Sequence, residues 1–206
     1  MKINIAVIGT GNVGGVLARK WGQAGHTVIL GVRNTAEFKG KELLNEKNIT
    51  ASTIEDAAKN AAVILIAAVP QATADIVNMM GNVSGKVIID AMNSVRTKPE
   101  DFVNSFEALK ALATEAEIVK SFNSVGFNVM ADTNFHGTKA DMYMAGSSTN
   151  AKAIAKQLAL DAGFESCYDF GGDDKAALLE QFALSWINLA MMQGQGREMM
   201  FKLMKR

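Results

Sequence analysis

The chain has 206 residues, 49% of them hydrophobic, and its 21 basic side chains balance its 21 acidic ones. This composition is typical of a compact globular protein, whereas nucleic-acid binding favours a basic face and a membrane span needs roughly 18 consecutive apolar residues, which the sequence lacks. A single cysteine, Cys167, excludes an internal disulfide, and without a Cys/His cluster or a signal peptide we expect a cytoplasmic protein with no metal site.

Short apolar runs alternate with helical stretches along the chain. This alternation is typical of successive βαβ units, so we predict an α/β fold, a doubly wound Rossmann-type parallel sheet. In chain order the predicted strands are 3–9, 27–32, 62–69, 85–93, 117–124, 141–147 and 164–172, and the predicted helices are 12–25, 35–48, 53–61, 71–83, 103–114 and 150–163.

The last part of the chain has a different pattern. From Lys175 to the end it reads as one or two long helices, apolar nearly all round in "LLEQFALSWINLAMM". A helix with two apolar faces needs a second packing partner after it packs on the sheet, and we expect a twin chain, hence a homodimer. Gly194 and Gly196 indicate either a close approach by a ring or partner helix, or a plain break between helices.

A glycine motif follows the first predicted strand. Gly9, Gly11 and Gly14 form G-x-G-x-x-G in "GTGNVG", directly after an apolar strand and at the start of a helix. In this context Gly9 permits a tight turn, Gly11 lets a pyrophosphate approach, and Gly14 lets helix and strand pack closely. The alternative is a glycine-rich turn without a ligand. We favour a dinucleotide site, with N–H groups of the helix start binding the phosphates.

The end of the second predicted strand selects between the two nicotinamide dinucleotides. An NAD site carries an acid about 20 residues after the glycines, but the strand ends in Gly31, Val32, Arg33 and Asn34. An arginine presents a planar, permanently charged fork that suits a phosphate. We therefore predict that Arg33 binds the 2′-phosphate of NADP, with hydrogen bonds from Asn34, Thr35 and Thr10. A solvated surface arginine is the alternative.

The sequence resembles the NADP-dependent reductases of the deazaflavin coenzyme F420. The resemblance covers nearly the whole chain, through "IAVIGTGNVGGVLARKWGQAGHTVILGVRN", "LIAAVPQATADIV", "VIIDAMN", "VKSFNSVGF", "DMYMAGS" and "LLEQFALSWINLAMMQGQGREMMFKL". It implies an NADP-binding domain over residues 1–170 and a small helical segment over 171–206 that supplies the acceptor pocket and the dimer contact. It also implies hydride transfer between the nicotinamide and a deazaflavin or flavin-like ring.

The resemblance also implies where the cofactor binds. The pyrophosphate is expected along Thr10, Gly11, Asn12 and Val13, and the 2′-phosphate at Val32 and Arg33. Val69 and Pro70 are expected to border the cofactor, and Asn123, Ser124, Val125 and Gly126 the nicotinamide and the acceptor. Apart from the resemblance, Asn93 and Ser94 follow another strand end, where open α/β sheets bind ligands, so they are expected either to hydrogen-bond the cofactor or acceptor or to form a simple turn. Ala91 and Asn93 complete the expected cofactor site. Two positions depart from the family: Val32 replaces a hydroxyl residue, and Glu37 replaces a lysine expected four residues after the arginine.

Hydride transfer between two bound rings requires close approach and exclusion of water, and the cofactors carry the chemistry. We therefore expect no catalytic side chain. The two histidines fit this expectation, His26 as a surface residue and His136 as a solvated loop residue, with a proton donor at His136 as the alternative.

Two other functions stay open at this point. A carbonyl or imine reductase of this fold carries a large helical substrate domain, for which too few residues follow the sheet. A non-catalytic NADP(H)-sensing protein would have the same dinucleotide pocket as the enzyme.

Overall fold

The computed structural model describes residues 2–206, and its centre is one eight-stranded sheet. The strands lie in the order β10-β9-β6-β5-β4-β1-β2-β3, and a separate hairpin pairs β7 with β8. The strands are β1 (Asn4–Ile8), β2 (Thr27–Val32), β3 (Ile49–Thr53), β4 (Val63–Ile66), β5 (Val87–Asp90), β6 (Glu117–Ser121), β7 (Asn134–Phe135), β8 (Thr138–Lys139), β9 (Asp141–Ala145) and β10 (Ser166–Asp169).

The helices cover both faces of this sheet. They are α1 (Asn12–Gln23), α2 (Ile54–Asn60), α3 (Thr73–Met80), α4 (Ser105–Leu112), α5 (Phe127–Ala131), α6 (Thr149–Asp161) and α7 (Ala176–Ile187). Residues of α1, α5 and α6 pack in one core cluster, and residues of α2, α3 and α4 in another. Strands between two helix layers are apolar on both faces, as in β4, where all four residues are buried.

The order of the strands places a crevice at the middle of the sheet. From β1 the chain proceeds to β2 and β3 on one side, then crosses to β4, β5 and β6 on the other. In open α/β sheets, ligands bind at the carboxyl ends of the strands where the order reverses in this way. The expected α/β, doubly wound fold is confirmed, and its switch point lies between β1 and β4.

The helix predicted over 35–48 is wrong. The segment contains only a 3₁₀ turn over Lys41–Asn45, and Gly40 before it has φ +90°. A left-handed glycine ends helical geometry, and here it lets the loop fold back onto Thr10, whose carbonyl oxygen would be 2.8 Å from a Cβ at position 40. The edge strand β3 that follows was not predicted. The N-cap expected of the next helix is present, because the Thr53 side chain accepts a hydrogen bond from the N–H of Asp56.

The direction of the last two strands also differs from the expected all-parallel sheet. β9 pairs antiparallel with β6, and β10 runs parallel to β9. Parallel neighbours need a long crossover, usually a helix. The only helix between β6 and β9 is α5, whose five residues span about 7.5 Å, less than half the length of a strand of five residues. The chain therefore re-enters the sheet at the end where β6 finishes, and β9 runs antiparallel to β6.

The C-terminal segment is helical over a shorter range than predicted. α7 continues into a single π-helical turn, Asn188–Met192, and residues 193–206 form no helix. Gly194 and Gly196 have φ of +69° and +86°, and a Cβ at either position would meet nothing within 4 Å. Of the two interpretations of these glycines, the structure supports the break.

Residues 197–206, which follow the break, form a strap that lies against β9 and α7. Trp186 donates from its indole N–H to the Met199 carbonyl at 2.7 Å, and Tyr143 donates to the Phe201 carbonyl at 3.1 Å. The Lys202 ammonium group lies 2.8 Å from Asp141 Oδ1 and 2.7 Å from Glu165 Oε2. These contacts hold the strap over the start of β9.

His26 is buried rather than on the surface as predicted. Its Nδ1 accepts a hydrogen bond from the N–H of Ile3, and its Nε2 lies 3.0 Å from Asp161 Oδ2 at the end of α6. Gly25, which is in the left-handed conformation, ends α1 and turns the chain into β2. His26 lies in this turn and is only 3% exposed. His136, in contrast, is exposed in the turn between β7 and β8. Across residues 2–206, none of the helices is long and apolar enough to cross a bilayer.

Candidate functional site

The three glycines of the loop after β1 have three different surroundings. Gly9 has φ +95°, and a Cβ there would lie 2.5 Å from the Ala67 carbonyl oxygen. A Cβ at Gly14 would lie 2.0 Å from the carbonyl oxygen of Gly9, whereas one at Gly11 would meet nothing within 4 Å. Packing therefore requires the first and third glycines, and the second one borders open space into which a ligand fits.

A cleft of about 580 Å³ opens beside this loop, across the switch point of the sheet. It lies between the ends of β1, β2 and β4 and one side of α3. Six of the predicted cofactor residues border it: Gly9, Thr10, Gly11, Val32, Arg33 and Val69. The rest of its wall consists of Ile8, Gly31, Lys39, Ile54, Ala67, Ala68, Ala72, Asp75, Ile76 and Met79.

Two smaller hollows extend the cleft at its ends. One, of about 180 Å³, lies at the start of α1 and includes Asn12, Lys39 and Phe127 in its wall. The other, of about 520 Å³, lies beyond Arg33 and is bordered by Thr53 at the end of β3 and by Ile54 and Glu55 of α2. Thr10 and Gly11 are shared with the first hollow and Arg33 with the second. The cleft is thus continuous from the glycine loop to the end of β2.

Arg33 is exposed at the end of β2. Among residues 2–206 its guanidinium group takes part in no ion pair. A permanent cation on the wall of a deep cleft, without a protein carboxylate to neutralise it, has the chemistry of an anion site.

Four of the residues predicted near the ends of β1, β2 and β4 border neither the cleft nor the two hollows. Val13 and Gly14 pack within α1 against the sheet, and Pro70 is buried at the start of a 3₁₀ turn, Pro70–Ala72. Asn34 is exposed, and its side-chain oxygen accepts a hydrogen bond from the N–H of Ala36 at 2.9 Å. This short-range bond shapes the turn after β2, so Asn34 supports the loop that carries Arg33.

The predicted residues at the ends of β5 and β6 lie together as a second group. Asn93 Nδ2 donates to the Asn123 carbonyl at 2.8 Å, and Asn123 Nδ2 donates back to Asn93 Oδ1 at 3.0 Å. Ala91, Ser124 and Val125 are buried around this pair. The Asn123 side-chain oxygen is buried and has no hydrogen-bond partner among the described residues. A buried acceptor without a donor is costly, which makes this atom a candidate acceptor for a ligand N–H.

Gly126 connects this second group with the C-terminal helix. A Cβ at Gly126 would be 2.7 Å from Cη2 of Trp186, so the indole lies directly against the backbone after β6. Trp186 is held there by its bond to the Met199 carbonyl in the strap. The helix α7 and the strap therefore form one wall beside the ends of β5 and β6.

Sequence reasoning missed a buried ion network below these strand ends. Lys120 on β6 is fully buried, and its Nζ lies 2.9 Å from Asp90 Oδ2 and 2.7 Å from Glu180 Oε1. Burial alone would lower the pKa of this lysine, but the two carboxylates and their hydrogen bonds reverse that effect, so its pKa is raised. The sequence signal was a charge inside each of the apolar runs "VIID" and "EIVKS".

The network also holds the loop after β5. Lys120 Nζ donates to the Met92 carbonyl at 2.9 Å, and the N–H of Ser94 donates to Glu180 Oε2 at 3.2 Å. Asp90 in turn accepts from the Ser105 hydroxyl at 2.8 Å. One buried lysine thus joins β5, β6 and α7 around Asn93.

Neither the cysteine thiol nor a group of metal-ligating side chains adds a reactive site. Cys167 is buried in β10, and burial raises the pKa of its thiol to about 12, which keeps it in the unreactive protonated form. Within residues 2–206 no three His, Cys, Asp or Glu side chains are grouped to hold a metal ion.

Solved structures of known proteins share this fold. A candidate F420-dependent NADP reductase from Arthrobacter sp. FB24 is 24% identical, with a TM-score of 0.86 over 98% of this chain and 100% of the other. A hypothetical protein from Sinorhizobium meliloti is 23% identical, with a TM-score of 0.71 over 100% and 97%. A reductive aminase from Aspergillus terreus, in complex with NADPH and ethyl levulinate, is 17% identical, with a TM-score of 0.69 over 94% of this chain and 64% of that one.

A family model matches the part of the chain that forms the cleft. The match runs over residues 4–94, and its description is NADP oxidoreductase, coenzyme F420-dependent. This range contains every residue of the 580 Å³ cleft wall. The enzyme class and the cofactor predicted from the sequence, an oxidoreductase that uses NADP, are those of this family. Over residues 4–94 the chain is therefore similar to the NADP oxidoreductases that depend on coenzyme F420.

Proposed function

We propose that the protein transfers a hydride between NADP(H) and a deazaflavin or flavin-like acceptor. The observation that carries this proposal is the cleft itself, in which the open side of Gly11 and the unpaired cation Arg33 border one continuous space. Residues 171–206, which place Trp186 against Gly126, are proposed to form the acceptor side.

The side chains and backbone of the cleft fit a bound dinucleotide. The N–H groups at the start of α1 suit the pyrophosphate, and Arg33 suits the 2′-phosphate. The apolar residues Val32, Val69 and Ile76 offer a surface to the adenosine part. When bound, NADP(H) supplies the hydride chemistry itself.

The residues at the ends of β5 and β6 are proposed to orient the reacting rings. The free Asn123 oxygen suits an N–H of the nicotinamide carboxamide or of the acceptor ring. The buried side chains around it, with Trp186 and the strap, exclude water from this region. Neither histidine lies in this group, since His26 is at the amino end of β2 and His136 is in the exposed turn between β7 and β8. No catalytic acid is assigned.

We also propose a cytoplasmic homodimer. Four large apolar residues of the C-terminal helical region are exposed: Leu178, Leu189, Met191 and Met192. Exposed apolar patches on a protein of this kind mark interaction sites, and a second copy of the chain is the simplest partner.

The deciding experiment is anaerobic oxidation of NADPH by the purified protein, followed by absorbance, with deazaflavin, FMN and FAD in separate reactions. We expect turnover with the deazaflavin or with a flavin and little turnover when NADH replaces NADPH. Binding of NADPH without oxidation by any of the three would contradict hydride transfer to such rings and favour a sensing role.

The fold likeness to a reductive aminase supports a second candidate, reduction of a carbonyl or imine. This chain spans only 64% of that protein, so the substrate side would have to be built differently. The same assay with a ketone and an amine as acceptors tests it, and oxidation of NADPH there but not with the three flavins would select this candidate.

A further inference from the structure

Lys39 lies on the wall of the dinucleotide cleft, although the sequence patterns gave it no role. It borders both the 580 Å³ cleft and the hollow at the start of α1. Its side chain is exposed, and its ammonium group makes no ion pair among residues 2–206. Together with Arg33 it gives the cleft two cations without a protein partner.

The backbone of Lys39 is fixed on the glycine loop. The hydroxyl group of Thr10 donates a hydrogen bond to the Lys39 carbonyl. The next residue, Gly40, is in the left-handed region, and a Cβ there would lie 2.8 Å from the Thr10 carbonyl oxygen. Further along the loop, Lys41 Nζ donates to the Ala36 carbonyl at 2.7 Å. The loop thus closes over Thr10 and sets the base of the Lys39 side chain at the cleft.

The charges of NADP(H) indicate whether Lys39 binds the pyrophosphate or the 2′-phosphate. The pyrophosphate is met by the N–H groups and the partial positive charge at the start of α1, which need no cationic side chain. A 2′-phosphate is a monoester with a charge of about −1.5 to −2 at neutral pH, and the single charge of Arg33 leaves part of it uncompensated. Asp75, the only carboxylate in the described wall of this cleft, adds to the need for a second cation.

Resting on the proposed NADP(H) function, we propose that Lys39 is the second cation of the 2′-phosphate site and a determinant of the preference for NADP(H) over NAD(H). Arg33 approaches the phosphate from the end of β2, and Lys39 from the loop folded over Thr10.

The test compares Lys39→Met with the unchanged protein in binding to 2′,5′-ADP, 5′-ADP, NADPH and NADH by calorimetry or fluorescence. Lys47→Met is the matched control, because it removes the same charge from an exposed lysine outside the cleft. We expect Lys39→Met to raise the Kd for 2′,5′-ADP and NADPH by about tenfold, equivalent to about 1.4 kcal/mol, and to leave 5′-ADP and NADH within about twofold. The control should bind all four as the unchanged protein does.

Equal losses for NADPH and NADH would overturn the proposal, because they would place Lys39 at the pyrophosphate. Unchanged binding of all four ligands would overturn it as well and make Lys39 a solvated residue. Failure of the proposed function gives different results. A chain that is no NADP(H) protein would, unchanged, bind neither NADPH nor 2′,5′-ADP, whereas a chain that binds both without oxidising NADPH fails the proposed hydride transfer and leaves the role of Lys39 testable.

Discussion

Within the loop after β1, the glycines at 9, 11 and 14 do not serve the same purpose. A side chain at Gly9 or Gly14 collides with backbone atoms, whereas one at Gly11 enters only the space of the cleft. The same six-residue motif therefore contains two glycines that the fold requires and one that the proposed ligand requires. Substitution by alanine separates these two requirements.

We predict that Gly14→Ala destabilises the protein and Gly11→Ala does not. At position 14 the added methyl group lies 2.0 Å from the Gly9 carbonyl oxygen, and overpacking of this kind costs about 1–3 kcal/mol or more. At position 11 the free energy of unfolding should change by less than about 0.5 kcal/mol, while NADPH binds at least tenfold more weakly. Urea unfolding and an NADPH fluorescence titration measure the two effects, and equal destabilisation by both variants would contradict the assignment.

We predict that Arg33→Ala raises the Kd for NADPH by about tenfold or more. This loss corresponds to roughly 1.5–3 kcal/mol for a charged hydrogen bond, and NADH binding should hardly change because NADH lacks the 2′-phosphate. Arg96→Ala, which removes an exposed arginine that borders none of the clefts, is the control. If the affinities for both dinucleotides fell equally, Arg33 would not be the phosphate ligand.

At the scale of elements, the buried lysine explains how the C-terminal helix is attached to the sheet. Lys120 of β6 pairs with Asp90 of β5 and Glu180 of α7, and Glu180 also accepts the N–H of Ser94. The loop bearing Asn93 is therefore bonded on one side to Lys120 of β6 and on the other to Glu180 of α7. A displacement of α7 would move one wall of the proposed nicotinamide region.

We predict that Lys120→Met lowers the free energy of unfolding by about 3–5 kcal/mol, because it leaves two buried carboxylates without their cation. Lys152→Met is the control, since its partner Asp169 is 43% exposed and exposed pairs contribute about 0–1 kcal/mol. Urea unfolding of both variants gives the comparison. A loss below 1 kcal/mol for Lys120→Met would mean that the network contributes little to stability.

The pH dependence of this network follows from the raised pKa of Lys120. A folded-state pKa above the unfolded value gives a stabilisation that is fully present below the unfolded pKa and is lost as the pH rises through the folded one. The network should therefore keep its full contribution at neutral pH and weaken only in strongly alkaline solution.

At the scale of the whole molecule, one surface of the C-terminal region lacks a partner in the described chain. Leu178 and Met192 are 54% and 58% exposed, at the two ends of the continuous α7 and π-helical stretch. Buried residues of the same helix, in contrast, have partners: Leu179 packs against β9, and Trp186 lies against the backbone of Gly126.

We predict a dimer of twice the 22.0 kDa chain mass in sedimentation velocity, and dissociation by Leu178→Glu combined with Met192→Glu. Two charges in an apolar interface would have to be buried without partners. Val103→Glu is the control, because Val103 is 67% exposed outside this helical region. A monomeric unchanged protein, or a double variant that stays dimeric, would contradict this interface.

Local patterns in the sequence determined the alternating strands and helices, the glycine loop and Arg33 at the end of β2, because each depends on neighbours close in the chain. The helix expected over 35–48 failed for a tertiary reason: Gly40 adopts a left-handed conformation so that the loop rests on Thr10. Four features are visible only in the tertiary structure. Lys39 borders the cleft and His26 is buried. β9 runs antiparallel to β6, and Lys120 pairs with Glu180. Each of these depends on contacts between segments distant in sequence, whose geometry no local periodicity contains.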